Sequence, residues 1–178
     1  MSNTILVTGG ARSGKSRLAL QLAADSLNKV FVATAEPFDL EMELRISRHR
    51  IERGEHWKTI EEPVSIASAI RAHRDSVVLI DCLTLWISNL MMRHSEDSAI
   101  LAYFSELANA LQSRVELTIL VTNEVGLGIV PENDASRRFR DLAGTLNQNI
   151  AALSATVILC VSGLPLYLKD ERTTHENS

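Results

Sequence analysis

Residues 9–16 read Gly-Gly-Ala-Arg-Ser-Gly-Lys-Ser, a G-x-x-x-x-G-K-[ST] pattern that constrains the fold more than any other segment of the chain. Such a pattern holds phosphate only where a strand hands over to a helix. The glycines let successive backbone N–H groups curl round the anion, and the helix N-terminus adds its positive pole. Both neighbours are predicted here: residues 4–8, Thr-Ile-Leu-Val-Thr, form a β-branched apolar run, and a helical pattern begins near Lys15. The expected phosphate-binding residues are therefore Gly9, Gly10, Ala11, Arg12, Ser13, Gly14, Lys15 and Ser16. Lys15 would reach the terminal phosphates, and the Ser16 hydroxyl would ligate Mg²⁺. The competing reading is a Gly-rich turn with a structural role alone.

The following residues extend this start into an α/β fold. Leu18, Leu20, Leu22 and Ala23 suit a helix packed on a sheet, and Val30-Phe31-Val32-Ala33-Thr34 completes a βαβ unit. Asp39 is placed to cap a helix running to about Arg53, with Gly54 as its left-handed stop. Further helices are expected at 64–73, 83–92, 99–112 and 134–153, and buried strands at 77–81, 117–122 and 156–161. Strands that are apolar throughout and alternate with helices predict a mainly parallel sheet covered by helices on both faces. Leu166 to Lys169 follow Gly163 and Pro165 closely enough to return as an antiparallel edge strand. A chain of 178 residues suits one core, so residues 1–169 are expected to form one nucleotide-binding catalytic domain, and 170–178 a polar, frayed tail.

Charge and cysteine usage exclude several classes. A formal net charge of -4 argues against a protein whose main task is neutralising nucleic-acid phosphates. Cys82 and Cys160 lie inside apolar runs as reduced thiols, so no disulfide framework is implied. No apolar run is long enough to span a bilayer and no signal-like N-terminus is present, which makes the cytoplasm the expected location.

Asp81 ends the apolar run 77–81, where a second magnesium-side carboxylate belongs in phosphate-loop proteins; its other reading is a cap for the helix at Leu83. A GTPase switch would read guanine with N-K-x-D after a strand. The corresponding segment, Thr122-Asn123-Glu124-Val125-Gly126, lacks both the Lys and the Asp. A motor ATPase would need nucleic-acid or partner surfaces for which this acidic, minimal chain has little space. A monofunctional small-molecule kinase stands as the alternative enzyme reading.

Four segments together narrow the choice: the loop at 9–16, Ala33-Thr34-Ala35-Glu36, the stretch from Met42 to Trp57, and residues 122–133, Thr-Asn-Glu-Val-Gly-Leu-Gly-Ile-Val-Pro-Glu-Asn. Over residues 4–169 the chain resembles the bifunctional adenosylcobinamide kinase / adenosylcobinamide-phosphate guanylyltransferases of cobalamin biosynthesis. That resemblance implies a RecA-like P-loop fold and a homotrimer. It also implies phosphorylation of a corrinoid, adenosylcobinamide, with ATP or GTP, followed by GMP transfer from GTP through a guanylylated histidine. By position in the matching segment the histidine is His49. Thr34, Ala35, Glu36, Arg50, Ile51, Glu52, Arg53, Glu61 and Asp81 would then line the guanine nucleotide, with Ser16 and Asp81 at the metal. The family often shows two adjacent histidines here, whereas this chain has Arg48-His49, which removes a helper but leaves the nucleophile.

On a helix beginning at Asp39, Leu40, Leu44 and Ile51 share one face, while Met42, Ile46, His49 and Arg53 share roughly the opposite one. His49 is thus expected off the main apolar stripe. A phosphorus nucleophile must present a neutral imidazole, and a pKa of about 6.5 leaves most rings neutral at pH 7. Arg48 and Arg50 favour the neutral ring if they lie close, and with Arg53 could offset triphosphate charge. Without the resemblance, a helical histidine among arginines reads as a solvated surface residue. His56 could assist or could make a structural hydrogen bond, and no pair of histidines has metal-ligand spacing on one helix.

Overall fold

A computed structural model describes residues 3–37, 39–54 and 56–171, leaving aside the side chains of Glu41, Arg45, Arg48, His49 and Glu52. The chain runs β1 (Thr4–Gly9), α1 (Lys15–Leu22), β2 (Lys29–Ala33), α2 (Leu40–Arg53), β3 (Lys58–Glu61), α3 (Ile66–Ala72) and β4 (Val77–Asp81). It continues through α4 (Leu83–Arg93), α5 (Asp97–Gln112), β5 (Thr118–Val121), α6 (Asp134–Leu153), β6 (Thr156–Val161) and β7 (Leu164–Asp170). The strands form one sheet in the order β3-β2-β4-β5-β1-β6-β7. All neighbours pair in parallel except β6 and β7, which form the antiparallel edge that the sequence predicts.

Period-two alternation divides the apolar strands between two cores. Leu6, Val30, Val32, Val78, Ile80 and Leu120 face α3, α4, α5 and α6. Ile5, Val7, Phe31, Val77, Leu79, Ile119 and Val121 face the opposite side, where Ala19 of α1 and the following C-cap residue Ala23 pack. Burial of both sheet faces explains why these strands read as continuous apolar runs. In α6, Leu142, Leu146 and Ile150 recur at helical spacing, and the Asn133 side chain accepts the Ser136 N–H at 2.7 Å as an N-cap. Among the described residues no helix is long and apolar enough to cross a membrane.

Three expectations need correction. The strand β3 has no counterpart in the sequence reading, because a four-residue edge strand with one aliphatic residue, Ile60, gives almost no periodic signal. The expected tail begins too early: Asp170 closes β7, and the Glu171 N–H donates to the Ala155 carbonyl at 2.9 Å, while 172–178 lie outside the described residues. The third concerns α2. Its Asp39 cap is present, with the side chain accepting the Met42 N–H at 2.7 Å, and Gly54 follows at φ 76°. However, the stripe of Leu40, Leu44 and Ile51 is solvent-exposed, and Met42, Ile46 and Arg53 are the half-buried residues. Helical spacing defines faces but does not say which one meets the sheet.

A buried polar knot joins the strand ends on the helix α4 side. Asn89, 1% exposed, donates from Nδ2 to the Thr34 carbonyl at 2.7 Å and to the Pro63 carbonyl at 3.0 Å. The Trp86 indole N–H donates to the Val64 carbonyl at 2.7 Å. Removing the amide of Asn89 leaves two carbonyls without their donor and opens a small void. Asn89→Ala should therefore lower unfolding free energy by about 2–4 kcal/mol, read as a lower urea midpoint with an unchanged slope. A midpoint equal to that of the parent would show that the knot contributes no stability.

Candidate active site

The phosphate loop leaves β1 at Gly9, whose φ of 152° and crowded surroundings admit no side chain: an added Cβ would stand 2.5 Å from the Cys160 carbonyl oxygen. Arg12 takes a left-handed φ of 56° and Gly14, the N-cap of α1, one of 94°. These turns fold the loop back on itself. Ser13 N–H donates to the Gly10 carbonyl at 3.3 Å, and Lys15 Nζ lies 2.9 Å from that same oxygen. Lys15 is buried, Ser16 is half-buried at the first turn of α1, and the buried Ser13 hydroxyl has no hydrogen-bond partner among the described residues. The loop therefore combines a helix N-terminus, a buried ammonium group and a buried hydroxyl in one turn, a combination suited to an oxyanion.

Two neighbouring strand ends are spliced beside it. Thr34 Oγ1 donates to the Cys82 carbonyl at 2.8 Å and accepts the Cys82 N–H at 2.8 Å, which fixes the residues after β2 against those after β4. Asp81 ends β4, half-buried, as the sequence predicts. Burial and then the charge of Asp81 push the Cys82 thiol above its usual pKa, with Thr84 and Lys15 acting the other way. Lys15 also opposes the burial-driven rise of Cys160. Gly9 closes β1 and Asp81 closes β4, so the phosphate loop and the acidic strand end lie at the same end of the parallel sheet.

The helix α2 approaches from the far edge. The Arg53 guanidinium sits 3.8 Å from the Phe31 ring centroid; burial and then Arg50 lower its pKa, and Asp81 opposes them. Arg50 Nη2 donates to Glu61 Oε1 at 3.1 Å, an exposed pair that ties α2 to the end of β3. Arg50, Arg53, Glu61 and Asp81 are therefore brought to one end of the sheet. Ile51 is exposed, and Glu36 is held by Arg93 through two bonds of 2.7 and 2.9 Å, at the C-terminal end of α4. Ala35 is half-buried between Thr34 and Glu36. The side chains of His49 and Glu52 lie outside the described residues, although both positions are in α2.

Sequence reasoning missed Asn89 and Arg93, which hold Thr34 and Glu36 in place. The available signal was an amide inside the apolar run of α4, next to Leu90 and three residues after Trp86. A buried polar residue on an apolar stripe marks a backbone contact.

Comparison with known proteins settles the family. The sequence model of the "Cobinamide kinase / cobinamide phosphate guanyltransferase" family matches residues 5–168. The chain belongs to this family. It is 45% identical over 175 residues to the bifunctional adenosylcobalamin biosynthesis protein CobP of Pseudomonas aeruginosa, covering 93% of this chain and 97% of that one. It is 42% identical over 179 residues to the bifunctional adenosylcobalamin biosynthesis protein CobU of Escherichia coli, with 93% and 99% covered. Among solved structures, an ATPase from the type III secretion system of pathogenic bacteria superposes with a TM-score of 0.57 at 11% identity, covering 97% of this chain and 58% of that one. A Pyrococcus horikoshii protein gives 0.55 at 9% identity, with 95% and 87% covered. Those distant likenesses bear on fold alone, and the fold is the RecA-like P-loop arrangement.

In this member of the cobinamide kinase / cobinamide phosphate guanyltransferase family, both cysteines sit at strand ends beside the loop, buried and with raised pKa values. Thiolate is the reactive form, so both should resist alkylation in the folded protein. With iodoacetamide at pH 7.5, labelling of native protein is expected at less than about one-tenth of the rate in urea, where the thiols return to about pKa 8.5. Equal rates in both conditions would contradict the burial.

Proposed function

We propose that the chain phosphorylates the aminopropanol hydroxyl of adenosylcobinamide with ATP or GTP, then transfers GMP from GTP to that phosphate, yielding adenosylcobinamide-GDP and pyrophosphate. The observation that carries this reading is the family match over residues 5–168 on a chain whose phosphate loop is folded for an oxyanion. In this reading the loop residues from Gly9 to Ser16 hold the triphosphate, and Lys15 stabilises the charge of the group in transfer. Thr34, Ala35, Glu36, Arg50, Ile51, Glu52, Arg53, Glu61 and Asp81 form the guanine-nucleotide surround.

His49 is the proposed nucleophile for the second reaction. Its neutral ring nitrogen forms a bond to the α-phosphorus while the bond from that phosphorus to the pyrophosphate oxygen breaks, and pyrophosphate leaves. The phosphate of adenosylcobinamide phosphate then attacks the same phosphorus and releases the imidazole. Ser16 and Asp81 offer hydroxyl and carboxylate oxygens, the hard donors that suit Mg²⁺. Bound there, the ion supplies charge neutralisation across the phosphates. The reaction is assigned to the cytoplasm.

Incubation with GTP labelled at the α-phosphorus tests the covalent step. Acid-labile, alkali-stable label is expected on the parent protein and absent from a well-folded His49→Ala variant, which should still make adenosylcobinamide phosphate because phosphoryl transfer needs no enzyme adduct. Lys15→Ala should lose both products. Continued formation of adenosylcobinamide-GDP by His49→Ala would remove His49 from this role, and a parent that is never labelled would favour a monofunctional kinase.

The same reading includes a homotrimer. Its support is apolar surface that a monomer leaves wet: Leu127 and Ile129 are 88% and 97% exposed, and Leu164, Leu166 and Leu168 are exposed along the edge strand β7. Analytical ultracentrifugation at micromolar concentration is expected to give three times the chain mass, and a fully active monomer would contradict it.

A further inference from the structure

Beside the phosphate loop lies an open cleft of about 510 Å³, within the range of small-molecule sites. Ala11 of the loop, Leu85 and Ser88 of α4, Glu124 and Phe139 are among the residues that line it. Glu124 is the one ionisable side chain lining it among the described residues. Its backbone N–H donates to the Gly9 carbonyl at 3.1 Å, which fastens this residue to the start of the phosphate loop. Oε1 of Glu124 accepts the Gly126 N–H at 2.6 Å, so the carboxylate is oriented by its own turn. Next to it, Asn123 Nδ2 donates to Thr84 Oγ1 at 2.5 Å and anchors the loop to the first turn of α4.

We propose that this cleft receives the acceptor alcohol and that Glu124 is the general base of the kinase step, an inference that rests on the kinase reading above. A phosphoryl acceptor must approach from beside the loop that holds the donor, and the cleft shares Ala11 with that loop. One hydrogen bond to Gly126 leaves the carboxylate with unused acceptor capacity. As the hydroxyl oxygen bonds to the γ-phosphorus, its proton passes to the Glu124 carboxylate. The bond from that phosphorus to the β,γ-bridging oxygen breaks, and its electron pair leaves with the nucleoside diphosphate. Glu124 then returns the proton to water. Leu85 and Phe139 supply apolar surface for the body of the acceptor, and Ser88 supplies a hydroxyl for its polar groups.

Glu124→Gln is the discriminating variant, because its amide oxygen can still accept the Gly126 N–H while the base is gone. With saturating ATP and adenosylcobinamide, its kcat for adenosylcobinamide phosphate should fall by about 10²- to 10⁴-fold. Glu124→Asp should recover part of that loss. ATP affinity by fluorescence titration, thermal midpoint and labelling by α-labelled GTP should all stay at the parent level. A kcat within about threefold of the parent would overturn the assignment, and so would a loss matched by weaker ATP binding, which would mark a structural role. A parent enzyme that makes no adenosylcobinamide phosphate would instead overturn the kinase reading and this inference together, and the two failures are told apart by whether the loss is confined to the variants.

Discussion

The contact of Gly9 with the Cys160 carbonyl governs the geometry of the functional end of the sheet. A Cβ at Gly9 would also stand 2.6 Å from the Ser13 hydroxyl, so this position serves the loop and the neighbouring strand at once. The hairpin between β6 and β7 completes the arrangement. Ser162 and Gly163 turn the chain with φ values of 52° and 83°, Gly163 N–H donates to the Ser13 carbonyl at 2.9 Å, and a Cβ at Gly14 would stand 3.2 Å from Gly163 Cα. The antiparallel edge strand thereby buttresses the phosphate loop. Gly14 and Gly163, nearly 150 residues apart in sequence, both take positive φ, and a Cβ at Gly14 would crowd the Gly163 backbone, so glycine suits this close approach.

A second clamp sets the opposite wall. Parallel strands end in loops that would splay apart without cross-links. Here Thr34, Cys82 and Asn89 make three buried hydrogen bonds with backbone groups, and a fourth, half-buried one runs from Asn89 to Pro63. Buried polar groups of this kind are costly unless fully satisfied, and when satisfied they specify one arrangement. Arg114 also links elements at the far end of the sheet, although its buried Nε has no hydrogen-bond partner among the described residues. Its guanidinium, with pKa lowered by burial, donates to the carbonyls of Ile70, His73 and Ser76 and so ties the end of α3 to the approach to β4. The strand ends can hold a charged site because their own backbone groups are already paired.

Apolar surface is divided unevenly, which bears on activity and assembly. Helices α4, α5 and α6 bury their stripes in the main core, while α2 turns Leu40, Leu44 and Ile51 to solvent and docks through Arg53 on Phe31 and Arg50 on Glu61. Exposed ion pairs contribute little and a cation over a ring about 1 kcal/mol, so these two polar contacts of α2 add little stability. This helix also contains position 49.

Local chemistry was legible from the sequence alone. The G-x-x-x-x-G-K-S loop, the Asp39 cap, the Gly54 stop, the continuous apolar runs of β1, β4, β5 and β6, and Asp81 at a strand end all follow from interactions within a few residues. Tertiary structure decided what depends on distant partners. Ile60 and its neighbours become β3 only because β2 offers an open edge, and a four-residue segment has no periodicity to announce that pairing. Which face of α2 is covered is set by the docking of Arg53 and Arg50, since helical spacing generates two faces without ranking them. In sequence, Glu124 suits a shaped loop and a substrate or subunit contact equally well; the tertiary structure adds its N–H bond to the Gly9 carbonyl, 115 residues earlier in the chain. Sequence spacing carries torsional preference and periodicity, whereas strand order, long-range backbone contacts and the walls of a cleft arise only when the whole chain is packed.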